Sequence, residues 1–214
     1  MSIRFMVCAG IVMGLSGCSS MYYGTMEKIG VHKRDIMVDR VKAARDTQGE
    51  AKKQFLTAME QFKSVVNFQG GDLEREYNKL SATLKRSEAG AAAVRSRIDA
   101  VEDVSEALFS EWRAEMKQYS SDALRRSSQR KYDVTREKYR ELIEAMRAAE
   151  AKLEPVLVPL RDQVLFMKHN LNARAIAGLG DELISVQANV DLLVRDMDAA
   201  ISQADRFIAS LREE

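Results

Sequence analysis

Cysteine is scarce in this chain, and both copies, Cys8 and Cys18, fall within the first eighteen residues. No disulfide framework can hold the remainder together. There are two prolines, Pro155 and Pro159, and one tryptophan, Trp112. Runs rich in β-branched and aromatic residues are few, which argues against a sheet and for an all-α chain. Histidine occurs twice, as His32 and His169, and neither has a His or Cys neighbour at metal-ligand spacing. A zinc site is not expected. Gly-rich phosphate loops, serine elbows and HExxH patterns are also missing. The expectation is no enzyme: no catalytic residues, no metal and no cofactor.

Charge of one sign is lacking too. Lysine and arginine number 33 against 32 acids, and the formal net charge is +1. No global field exists to recruit nucleic acid, so a nucleic-acid partner is not expected. Charged side chains still make up 30% of the chain. Acidic pairs such as Glu102 with Asp103, or Asp196 with Asp198, read as solvated helix faces.

No apolar run reaches the ~20 residues that a membrane-spanning helix needs. The longest, from Phe5 to Leu15, follows Arg4 and leads through small residues to Cys18. A basic residue, a short apolar run and small residues are the layout of a secretory signal peptide. Leu15-Ser16-Gly17-Cys18 resembles the lipobox of bacterial lipoproteins. The resemblance implies cleavage between Gly17 and Cys18 and acylation of Cys18, palmitate being one such chain. Two or more acyl chains anchor stably, where one binds only marginally. Ser19 follows Cys18, where Asp commonly favours the inner membrane, so the outer membrane facing the periplasm is the expected location. This division gives a signal peptide over 1–17, a lipidated tether over 18–25 and a single bundle domain over 26–214.

The rest reads as long amphipathic helices. The first is expected from Met26 to Asn67. Met37, Val41, Ala44, Ala51, Phe55, Ala58, Phe62 and Val65 recur at spacings of three and four, with Gln48 as a polar gap. Gly49 weakens this helix by about 1 kcal/mol relative to Ala. Gly70-Gly71-Asp72 is the clearest break, with Asp72 as the next N-cap. From Leu73 a heptad seam runs through Leu80, Leu84, Ala91, Val94, Ile98, Val101, Leu108, Trp112 and Glu115 to Tyr119. Trp112 on that seam reads as core. The small stretch Ala89 to Ala93, with Gly90 inside it, lets a neighbouring helix come close. A turn over Tyr119 to Asp122 precedes a third helix, whose seam includes Thr135, Tyr139, Leu142, Met146, Ala149 and Leu153. Pro155 and Pro159 are expected to interrupt it with a kink or short break. Gly178-Leu179-Gly180-Asp181 opens a last helix with its seam from Leu179 to Leu211. The expected fold is an elongated antiparallel bundle or coiled coil of three to four long helices. Whether the seam closes within one chain or between two copies stays open.

Two stretches carry candidate interaction residues. Arg125, Arg126, Arg130 and Lys131 form the densest basic run, with Tyr132 and Tyr139 interleaved. They suit lipid or cell-wall acidic groups, or else a solvated helix face. Lys168, His169 and Arg174 form the most chemically varied stretch, readable as a polar pocket or as a helix–turn region.

The lipobox, the Gly-Gly break, the run Glu154-Pro155-Val156-Leu157 and the run from Lys168 to Ala173 together resemble an uncharacterised domain-of-unknown-function family of proteobacterial coiled-coil envelope lipoproteins. That resemblance covers nearly the whole mature chain and implies no activity. Two functional readings follow. One is a membrane-tethered scaffold with an envelope protein partner or self-association. The other is a lipid- or glycolipid-binding module, with Met146, Val156, Leu157, Phe166 and Met167 lining a pocket.

Overall fold

The computed structural model describes residues 32–68, 70, 72–170, 172, 176 and 178–212. The signal segment, the tether with Gly17 and Cys18, the expected start of the first helix at Met26, and Arg174 lie outside the described residues. Five helices make up the described chain: α1 Lys33–Val66, α2 Leu73–Met116, α3 Asp122–Ala151, α4 Leu153–His169 and α5 Gly180–Arg212. Only Lys152 separates α3 from α4, so the two form one rod with a single-residue interruption. The molecule is thus a bundle of four long rods, all-α as its composition predicts.

Local chemistry ends each rod. Gly70 takes φ +139°, a conformation that side chains rarely adopt, and turns the chain after α1. The Asp72 carboxylate accepts the Arg75 backbone N–H at 3.0 Å and starts α2. Ser121 rather than Asp122 caps α3, its hydroxyl accepting the Leu124 N–H at 3.4 Å.

Each rod runs antiparallel to the ones beside it in space. α1 packs on α2 and α5, while α3–α4 packs on the other sides of the same two helices. The register can be read from polar contacts. Lys33 at the start of α1 meets Glu111 near the end of α2 at 2.8 Å. Arg45 meets Asp205 at 2.7 Å and Lys52 meets Asp198 at 2.5 Å, fixing α1 against α5. Arg147 reaches Asp99 at 2.7 Å, Arg95 reaches Glu154 at 2.7 Å and Arg161 reaches Glu88 at 2.8 Å, in steady steps along α2 and α3–α4. Such exposed pairs contribute about 0–1 kcal/mol each, so they report the register more than they hold it.

Apolar burial holds it. One core runs the length of the bundle, from Met37 to Val65, Leu80 to Leu108, Leu142 to Val164 and Val186 to Leu211. Nearly all the expected seam residues face inward. Ala51 and Gly90 mark the close approach of α1 to α2. A Cβ at Gly90 would come 2.3 Å from Gln54 Oε1 and 3.8 Å from the Ala51 Cβ.

The prolines act differently from the expectation. The break falls at Lys152, and the seam continues through it without losing phase: Ala149, Leu153, Val156 and Leu160 are all buried. Pro155 is the third residue of α4, where a missing N–H costs little. Its ring would clash with the carbonyl four residues back, that of Ala151, and the helix is interrupted just there, at Lys152. Pro159 lies within the helix and leaves the Pro155 carbonyl without its helical donor. Asn189 of α5 takes up that role, its Nδ2 donating to the Pro155 carbonyl at 3.2 Å.

Gln48 is fully buried, yet neither its amide nitrogen nor its oxygen has a hydrogen-bond partner. An unsatisfied buried amide costs about 1–3 kcal/mol, and an apolar residue of similar shape avoids that cost. Gln48→Met should therefore stabilise the protein by about 1–2 kcal/mol in urea melts. A destabilised variant would mean that water satisfies the amide. At the next residue, Gly49, a Cβ would meet nothing within 4 Å. Gly49→Ala should add about 0.5–1 kcal/mol through helix propensity alone, with the denaturant slope unchanged.

Candidate functional site

The two candidate stretches are at opposite ends of the rod. Arg125, Arg126, Arg130 and Lys131 lie in the first turns of α3, and Lys168 and His169 close α4. Between Arg126 and Lys168 the chain climbs about 60 Å at 1.5 Å per residue. They form two separate surfaces.

The first surface is the tip of the α2–α3 hairpin. Lys33 begins α1 level with Glu111, and Arg34 donates to the Leu211 carbonyl at the end of α5. α1 and α5 therefore stop together, while α2 and α3 continue past them by about 10 Å, given helical rise. A separate small core supports this overhang. Phe109, Met116 and Tyr132 are buried there, with Trp112 and Tyr139 packed beside them. Tyr132 stands edge-on to Phe109 at 5.5 Å and to Trp112 at 5.7 Å. The Trp112 indole N–H donates to the Ser128 hydroxyl at 2.8 Å, tying α2 to α3. Trp112 is thus a packing residue, as its seam position predicts. Glu115 and Tyr119, further along the same seam, are exposed, because α1 and α5 no longer flank them.

The tip is basic on both helices. Arg113 and Lys117 on α2 face the same end as the α3 run, and all six basic side chains are exposed. Four acids share this end: Glu111, which pairs with Lys33, Glu115, Asp122, which pairs with Arg125, and Asp133, which accepts from Gln129. Arg126, Arg130, Lys131 and Lys117 have no carboxylate partner among the described residues. Pairing is densest on the flank between α2 and the α3–α4 rod. There Arg147 is bound by Glu102, Glu150 and Asp99, and these contacts, Glu102 first, push its pKa well above the ordinary guanidinium value. Arg113 and Lys117 were missed in sequence because they lie across the turn from the α3 run. Only the hairpin's antiparallel register brings them to it.

The second surface is the α4–α5 end. Lys168 and His169 are exposed there, beside Leu165 and Phe166, which are 59% and 43% exposed. Ile184, near the start of α5, is 72% exposed. The expected lipid pocket is not open. Met146, Val156, Leu157 and Met167 are buried in the core, and Phe166 lies on the outer face. Among the described residues there is no cluster of three potential metal ligands, and no helix is long and apolar enough to cross a membrane.

Residues 22–211 match a family described as "Protein of unknown function (DUF2959)". Neither the curated proteins nor the solved structures give a match.

Tyr139 joins the tip to the main core, its ring 5.5 Å from Phe109 and 6.4 Å from Phe207. Burial raises its pKa above the ordinary phenol value, with a hydrogen bond to Ser105 acting the other way. The folded state keeps a proton that the unfolded chain loses near pH 10. The associated stability is full below that pH and is lost as pH rises through the folded pKa. Tyr139→Phe should therefore flatten the fall in stability above about pH 10, read from urea midpoints against the unaltered protein.

Proposed function

The chain belongs to the DUF2959 family across residues 22–211, and from that premise we propose that it is a lipid-anchored scaffold. Cys18 carries the acyl chains, Gly17 is the last residue removed, and the rod stands in the periplasm from the outer membrane. It binds an envelope protein or a second copy of itself and catalyses no reaction. The lipobox Leu15-Ser16-Gly17-Cys18 supports the anchor.

One geometric observation carries the scaffold reading. The chain enters α1 at one end of the bundle, and the exposed apolar side chains Leu165 and Phe166, with Lys168 and His169, stand at the other. A rod held at its base and apolar at its far end suits the spacing and capture of a protein partner. Exposed apolar side chains rimmed by charge are the usual make-up of such a contact. The closed packing of Met146, Val156, Leu157 and Met167 supports this reading over the glycolipid-binding one, which needs the bundle to open.

Two measurements test it. Metabolic labelling with a palmitate analogue should mark the protein, and Cys18→Ala should abolish both the label and recovery in the membrane fraction. A photoreactive residue placed at Lys168 should capture one protein species in living cells. Adducts of lipid or glycan alone at that position would transfer the assignment to the binding-module reading.

A further inference from the structure

From the hairpin overhang we infer that the α2–α3 tip is a second membrane contact, which docks on phosphate-bearing lipid headgroups beside the anchor. This rests on the lipid-anchor reading for its orientation. The occupant is an anionic phospholipid surface.

Three observations carry it. The first is placement. The chain before His32, which contains Cys18, joins α1 at the end where the tip overhangs. The 13 residues between Cys18 and His32 can span at most about 50 Å, and any shorter path brings the tip closer to the bilayer. α1 and α5 stop short of the tip, so nothing described stands between the tip and a surface below it. The second is charge. Arg113, Lys117, Arg125, Arg126, Arg130 and Lys131 share this end with Glu111, Glu115, Asp122 and Asp133, and Lys33 and Gln129 already engage Glu111 and Asp133. Clustered basic residues next to an anchor are attracted to anionic headgroups, and the attraction falls off within a Debye length. The third is the apolar content of the turn. Leu124 is 58% exposed and Tyr119 is 40% exposed. An aromatic ring and an aliphatic side chain ringed by cations match the headgroup level of a bilayer.

The arrangement makes a two-point attachment. The acyl chains hold the protein to the membrane, and the tip sets the tilt of the rod above it. A flexible tether alone leaves that angle free. The separate aromatic core of Phe109, Tyr132 and Trp112 keeps the overhanging hairpin stiff enough to serve as the second point.

The test uses the full lipidated protein in vesicles, with an environment-sensitive dye on Leu124→Cys. A second sample carries the dye on Ile184→Cys, at the far end of the rod. In phosphatidylglycerol/phosphatidylethanolamine vesicles the dye at 124 should shift to the blue, and in pure phosphatidylcholine it should stay water-like. The dye at 184 should stay water-like in both. Neutralising Arg126, Arg130 and Lys131 together to Gln should lower the docked-to-free ratio roughly a hundredfold, from about a fivefold loss per basic residue. Molar salt should do the same. A water-like dye at 124 on anchored protein in the anionic vesicles overturns the inference. So does a photoreactive residue at Arg126 that captures only protein in cells. If mass measurement finds no acyl groups on Cys18, the anchor reading has failed, and the tip is judged separately. Salt-sensitive recruitment of the unacylated chain to the anionic vesicles, lost in the triple variant, then upholds it, and no recruitment overturns it.

Discussion

Four rods packed around a single line of core side chains leave no interior to spare. At each level of the bundle the inward positions are already taken by residues such as Phe55, Ile98, Leu142 and Phe207, all of them almost completely buried. This packing constraint governs the rest. A pocket inside the rod would have to displace core residues, and truncating a large one costs about 2–5 kcal/mol. The chain has few aromatics and no disulfide in the described bundle to offset such a loss. Chemistry and recognition are thereby pushed outward, to the flanks and the two ends.

The flanks then carry charge pairs between the rods. Arg45, Arg95, Arg147 and Arg161 each reach a carboxylate on an adjacent rod. Such pairs stabilise little, but they favour one register, since a slip of one turn would separate most of the partners. The ends differ because the rods differ in length. Where α1 and α5 stop, α2 and α3 lose two neighbours, and their side chains face solvent.

That difference explains how far the sequence could be read. A heptad seam needs only local spacing, so the inward residues from Leu80 to Leu108 and from Val186 to Leu211 were legible. The seam misled at its end, because periodicity continues in the chain after the neighbours have run out: Glu115 and Tyr119 keep the period and are exposed. The prolines were legible as a disturbance but not as a location. The interruption at Lys152 goes with Pro155 sitting in a first turn, and at Pro159 the freed Pro155 carbonyl is taken up by Asn189 from another helix. Neither dependence has a signature in local spacing. That the run from Arg125 to Lys131 and the pair Lys168 and His169 stand at opposite ends of the rod has no local signature either. Closeness in character along a sequence says nothing of which end of a long rod a residue occupies.

Length mismatch between rods is therefore a functional variable in this fold. Equal rods would bury the tip residues of α2 and α3 between α1 and α5. The overhang instead leaves their side chains facing solvent. It also demands a local core, because a two-helix hairpin cannot draw on the four-rod interior. Phe109, Trp112 and Tyr132 supply that core with large rings in edge-on contact, the most apolar area obtainable from a few positions. The chain's only tryptophan stands where two helices must hold together without the other two, with Lys117 and Arg126 beyond it and Arg130 and Lys131 level with the turn before it.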